Sequence, residues 1–154
     1  MDLSWIELGS LAAGSVPFNA DNIQALHNIG IRAILSLTER SLTAFREITP
    51  ELLSELDILY FHVPIPNQQP PTFAQARQIV RIINQVTAQH RPLYVHCQAG
   101  VGPTGTVLCL YYLVRGKSLD EAQAILKARR VQSALVTDEQ RRFLKEVAAV
   151  VARL

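Results

Sequence analysis

The chain has little cysteine, little charge and no long apolar run, and each shortage closes off a class of protein. Only Cys97 and Cys109 occur among 154 residues. One ends a β-type run and the other sits in an apolar helical stretch, so they make no secreted disulfide framework, and Cys109 reads as core. Charged residues are 18% of the chain and the formal net charge is +2. That balance suits an anionic ligand and falls short of a nucleic-acid footprint. No uncharged apolar stretch reaches the roughly 20 residues of a membrane-crossing helix; Val107–Val114 spans only eight. His27, His62 and His90 are scattered singly, without metal-ligand spacing, so neither a metal nor a cofactor is expected. The opening Met1-Asp2-Leu3-Ser4-Trp5 has neither the basic nor the apolar segment of a signal peptide, which makes a cytoplasmic protein without membrane contact the default expectation. Repeats, low-complexity tracts and linkers are absent too.

What is present is an apolar share of 49%, enough for a packed interior and a single domain over residues 1–154. Short β-type runs at Trp5–Leu8, Ser10–Ala13, Ala33–Leu37, Leu59–Val63 and Leu93–His96 alternate with helical segments. The pattern predicts an α/β fold whose central, largely parallel sheet is flanked by helices. Helix punctuation is explicit. Thr72-x-x-Gln75, Ser118-x-x-Glu121 and Thr137-x-x-Gln140 have the spacing of capping boxes. Thr49-Pro50-Glu51 places a cap before proline at the first helical position. The basic run Lys127-Ala128-Arg129-Arg130 reads as a solvated helix end.

The stretch Leu93-Tyr94-Val95-His96-Cys97-Gln98-Ala99-Gly100-Val101-Gly102-Pro103-Thr104-Gly105-Thr106 carries the chemistry. A strand ends in His-Cys, passes through a two-glycine loop and enters a long apolar helix. Such a loop turns successive backbone N–H groups inward, and the helix N-terminus adds partial positive charge. Gln98, Ala99, Gly100, Val101 and Gly102 would then line a phosphate or other oxyanion. Cys97 at the base of that cradle is expected to have a depressed pKa and to act as a nucleophile. His96 is expected to bond to backbone and hold the cysteine loop, rather than to act as acid or base.

These residues resemble the His-Cys-x5-Arg-Ser/Thr signature of the cysteine-dependent protein phosphatases, and most nearly the small atypical dual-specificity phosphatases of the VH1-like member Z type. Ser4-Trp5 with Gly9–Gly14, Ser36-Leu37-Thr38-Glu39-Arg40, the proline-rich Val63–Pro71 and Ala134–Gln140 match further segments of that family in order. The resemblance implies a protein tyrosine phosphatase-like fold. It implies attack by Cys97 on a phosphorylated protein or small phosphate monoester, through a phosphocysteine intermediate. Thr104 is implied to hydrogen-bond the cysteine sulfur.

Two positions depart from the family pattern, and both are chemical. Pro103 stands where the family has the phosphate-gripping arginine; it lacks both the guanidinium and a backbone N–H. Asn67 stands where an aspartic acid would protonate the leaving oxygen, and a carboxamide has no such proton. Glu39 is a candidate substitute acid. Three readings follow: a phosphatase of strongly impaired turnover, a non-catalytic phosphate-binding module or scaffold, or a rhodanese-like sulfur carrier, which also loops around a cysteine.

Overall fold

The computed structural model describes residues 1–154. Five strands, β1 (Leu3–Glu7), β2 (Leu11–Gly14), β3 (Ala33–Ser36), β4 (Leu59–His62) and β5 (Leu93–His96), form one sheet in the order β1-β2-β5-β3-β4. β1 and β2 pair antiparallel, and every other neighbouring pair is parallel. Each expected β-type run becomes a strand, but β1 begins earlier and stops earlier than Trp5–Leu8. Leu3 and Ser4 find partners in Gly14 and Ala13, whereas Leu8 stands exposed in the turn at Gly9.

Six helices follow the punctuation: α1 (Ala20–Asn28), α2 (Pro50–Glu55), α3 (Phe73–Ala88), α4 (Gly102–Leu113), α5 (Leu119–Arg129) and α6 (Asp138–Ala149). All three capping boxes form, at Thr72, Ser118 and Thr137, and Thr49 caps α2 with Pro50 in its first turn. Each cap satisfies backbone N–H groups that a helix start otherwise leaves open. None of the helices is long and apolar enough to cross a membrane.

Side chains alternate across the sheet with the period of a pleated strand. Leu35 and Leu37 of the β3 segment and Leu93 and Val95 of β5 pack into a cluster shared with α3, α4, α5 and α6. Ile34 and Tyr94 face the other way, into a smaller cluster with Ile23 and Leu26 of α1 and Leu53 of α2. The result is three layers, with α4 so enclosed that only Tyr111 among its residues from Pro103 to Leu113 escapes full burial. A helix apolar on all sides belongs in such a position. Register places Ser36 level with both His62 and His96, so the chain leaves β3, β4 and β5 at one edge. In parallel sheets, the edge beyond the strand carboxyl ends is where ligands bind.

The basic run keeps Lys127 and Ala128 exposed, as expected of a solvated helix end, and corrects the sequence reading only at its two arginines. Arg129 pairs with Glu7 at 2.8 Å, and Arg130, just past α5, is only 3% exposed. The helix end itself is solvated, but the N-terminal segment captures both arginine side chains through Asp2, Ser4, Ile6 and Glu7.

Candidate active site

The loop that begins at Cys97 leaves β5 and runs directly into α4, of which Gly102 and Pro103 are the first two residues. Proline is tolerated there because its missing N–H would have no partner inside the helix. Val101, at the cap position, offers no side-chain acceptor, so the helix start keeps its donors open.

The loop's carbonyls are held from outside. Gln98 O accepts the Val16 N–H at 3.1 Å. Ala99 O accepts from Arg130 at 3.4 Å, and Gly100 O accepts both Arg130 Nε at 3.3 Å and the Ser133 hydroxyl at 2.8 Å. A trans peptide sets its C=O and N–H on opposite sides. The N–H groups of Ala99, Gly100 and Val101 therefore point away from those partners. No backbone N–H from Gln98 to Gly102 donates to another protein group. Gly100 adopts φ +73°, and a Cβ there would lie 2.5 Å from both the Arg130 guanidinium and Gly14 O. The turn accepts no larger residue without shifting the backbone.

Arg130 anchors this arrangement. Besides the two loop carbonyls it reaches Ser133 Oγ at 2.9 Å, Ser4 Oγ at 3.1 Å and both Asp2 carboxylate oxygens at 3.2 Å. Burial pushes the Asp2 carboxyl up, but the Arg130 charge and hydrogen bonds from Ser15 and Arg130 outweigh it and hold the group below its usual value. Sequence reading missed Arg130 and Ser133. The only signal was an arginine directly past a helix end, with its main partner 128 positions away.

His96 is fully buried, its ring stacked on Tyr94 at 5.9 Å. Nδ1 lies 3.1 Å from the Cys97 carbonyl, which can only accept, so Nδ1–H donates. Nε2 then accepts the Ser36 hydroxyl proton at 2.5 Å. Burial, reinforced by His62 and opposed by the Cys97 carbonyl, lowers the ring's pKa to about 4. His96 is a neutral brace between β3 and the start of the cysteine loop. The Thr104 hydroxyl, expected to reach the cysteine sulfur, is buried and has no hydrogen-bond partner at all. Cys109 is inert by contrast, since burial pushes its thiol up to about 12.

Cys97, Gln98, Pro103 and Asn67 line one cavity of about 420 Å³, together with Thr38, Glu39 and Arg40 from the loop after β3. Asn67 is exposed, and its backbone N–H approaches Glu39 Oε1 at 3.4 Å. Glu39, the candidate substitute acid, thus stands beside Asn67. The proline-rich loop is fastened to α6: Gln68 O accepts the Thr137 hydroxyl and Gln69 O accepts Gln140 Nε2, each at 3.2 Å. Gln140 is fully buried, and its amide lies against Gly102 as well. Sequence alone assigned it only to a helix cap.

A family model described as PTP-SAK, Swiss Army Knife protein, DSP-PTPase phosphatase domain, matches residues 1–151. Phosphatidylglycerophosphate phosphatase PTPMT2 of Arabidopsis thaliana is 28% identical over 140 residues, covering 88% of this chain and 58% of that protein. Tyrosine-protein phosphatase non-receptor type 2 of Mus musculus is 32% identical over 88 residues, covering 54% of this chain and 21% of that protein. The chain therefore spans well under two thirds of either relative. Among solved structures, a mutant form of Tk-PTP superposes with a TM-score of 0.84 at 23% identity, covering 99% of this chain and 98% of the other.

Proposed function

This chain belongs to the PTP-SAK family of DSP-PTPase phosphatase domains, and on that premise we propose that it is a single phosphatase-type domain that binds phosphate monoesters over Cys97 and turns them over very slowly. The run of open N–H groups from Gln98 to Gly102, with its carbonyls tied to Val16, Arg130 and Ser133, carries the reading. Fixed donors around a thiol suit a phosphate whose phosphorus is approached by sulfur. The family assignment favours this over the sulfur-carrier reading. Phosphatidylglycerophosphate and phosphotyrosine, named for the two relatives, share only the terminal phosphate, so the ligand proposed here is that group on a small molecule or a protein.

In the mechanism the Cys97 thiolate attacks phosphorus, the leaving oxygen departs, and water hydrolyses the phosphocysteine. His96, neutral and braced by Ser36, fixes the loop without exchanging a proton. Losing one preorganised donor to a developing oxyanion costs roughly 10²–10³ in rate, and losing a general acid roughly 10²–10⁴. Pro103 removes a guanidinium and one N–H, and Asn67 removes the acid. Both act on one transition state, so the factors need not multiply. A non-catalytic, phosphate-binding role is the limiting form of the same reading, favoured by the coincidence of both losses in one cavity.

Turnover of an aryl phosphate by the chain, by Pro103→Arg and by Cys97→Ser as the blank tests this. The parent is expected close to the blank, and Pro103→Arg to exceed it by roughly 10²-fold or more. A parent rate typical of an active phosphatase, or no gain from arginine, refutes the proposal.

A further inference from the structure

The cavity over Cys97 presents a charge problem. A phosphate monoester is close to dianionic at neutral pH, yet residue 103 supplies no cation and Glu39 adds a carboxylate to the wall. Backbone N–H dipoles then have to balance the whole charge. Among the lining residues a single side chain is cationic, and it is Arg40.

Its surroundings suit a ligand-facing role. Arg40 is an exposed residue, and none of the hydrogen bonds or ion pairs of the fold uses its guanidinium. Its backbone, by contrast, is pinned. Thr38 Oγ1 donates to Arg40 O at 2.7 Å, and His62 Nε2–H donates to Thr38 O at 2.7 Å. On the following side, Tyr60 Oη accepts the Leu42 N–H at 2.9 Å, and Ser41 Oγ lies 3.2 Å from the same oxygen. Two residues of β4 thus fix the loop while the side chain at its tip stays uncommitted. An arginine serving the fold would have its donors engaged, as Arg130 and Arg91 do. A second unmet polar group adjoins the cradle: the Thr104 hydroxyl, next to Pro103, is fully buried without a partner.

We propose that Arg40 is the binding residue that supplies the positive charge for a phosphate held over Cys97, from the wall contributed by the loop after β3 and not from the start of α4. The proposal rests on the phosphate-binding reading above. Its electrostatic content is modest, because a cation at the mouth of an open cavity is partly screened. Arg40 can hold the anion in the ground state, but it does not replace a fork built into the cradle floor, so affinity survives better than rate.

Titration with inorganic phosphate, followed through the backbone amide resonances of Gln98 to Gly102, is the test. Arg40→Ala is expected to weaken binding roughly tenfold in the parent chain, and Arg40→Lys to recover most of that loss. In a Pro103→Arg background the same Arg40→Ala change is expected to cost less than about threefold, because the restored guanidinium takes over the charge. The urea midpoint of Arg40→Ala is expected to equal that of the parent, since the side chain makes no bond within the fold. Equal loss in both backgrounds, no loss in the parent, or a loss that lysine does not recover overturns the proposal. Amide shifts that occur but ignore Arg40 defeat this inference alone. Absence of any phosphate-induced shift in the parent defeats the phosphate-binding reading with it.

Discussion

Protonation of His96 should destabilise the fold as the pH falls from about 6.5 toward 4. The ring is buried and neutral, donating from Nδ1 to the Cys97 carbonyl and accepting the Ser36 hydroxyl proton at Nε2. A proton on Nε2 would remove that acceptor and place a charge among apolar side chains. Burial first, with His62 adding to it, brings the pKa from 6.5 to about 4. In the unfolded chain the ring binds its proton near pH 6.5, so between about pH 4 and 6.5 the unfolded state holds more protons and stability rises with pH. The contribution is fully present above about pH 6.5 and lost as pH falls toward 4. At 1.36 kcal/mol per pH unit, the whole displacement is worth about 3 kcal/mol, of which about 2 has gone by pH 5.

Urea unfolding at a series of pH values measures this directly. The parent should lose about 2 kcal/mol between about pH 7 and 5, while His96→Gln should show a much flatter profile over the same range. Asp2 works in the same sense, its lowered carboxyl contributing stability that disappears only as the group protonates. Its window lies below the ordinary carboxylate pKa of about 3.9, so it does not overlap. If His96→Gln fails to fold, the ring resonances of His96 provide the second reading, and they should show no titration above about pH 5. A flat parent profile from pH 7 to 5, or a His96 ring that titrates near 6.5, would refute the argument that this histidine is held neutral by burial.

Two further outcomes follow from the back of the cradle. Arg130→Ala should destabilise by about 2–3 kcal/mol in urea unfolding, less than the roughly 3–5 of a fully buried pair, because the Asp2 side chain is 53% exposed and its share is screened. Arg130→Lys should not recover the loss, since one ammonium cannot reach two loop carbonyls, Ser4, Ser133 and Asp2 together. Gly100→Ala should cost more than about 1 kcal/mol through its left-handed φ and the clash with Arg130. It should also erase phosphate-induced amide shifts; intact shifts in that variant would show that the cradle tolerates a side chain there.

Much of this could be read in one dimension because it is locally encoded. Thr72, Ser118 and Thr137 announce their helices through contacts three residues away. Cys97, the glycines and Pro103 are contiguous, so the loop and its missing arginine are visible as soon as the chain is read. The strand runs are also local, although their ends move where a partner extends or abandons the ladder, as Leu3 and Leu8 do. Arg130 looked like a surface charge because nothing within reach of it in sequence suggests a buried partner. Ser36 gave no sign of its bond to His96, 60 positions away. Gln140 was legible as a cap, but not as the amide that touches both Gly102 and the proline-rich loop.

By itself, then, the sequence determined the α/β class, the helix starts, the cysteine loop and the two chemical departures at Pro103 and Asn67, since each depends on residues that are neighbours along the chain. Tertiary structure alone decided which charges the site owns. It buried Arg130 behind the loop, where its guanidinium fixes carbonyls and turns the N–H groups the other way. It left Arg40 uncommitted on the wall of the cavity that holds Cys97 and Pro103, and it drew Glu39 up to Asn67. Burial and partner choice are properties of the closed fold, set by which strands and loops come to lie together.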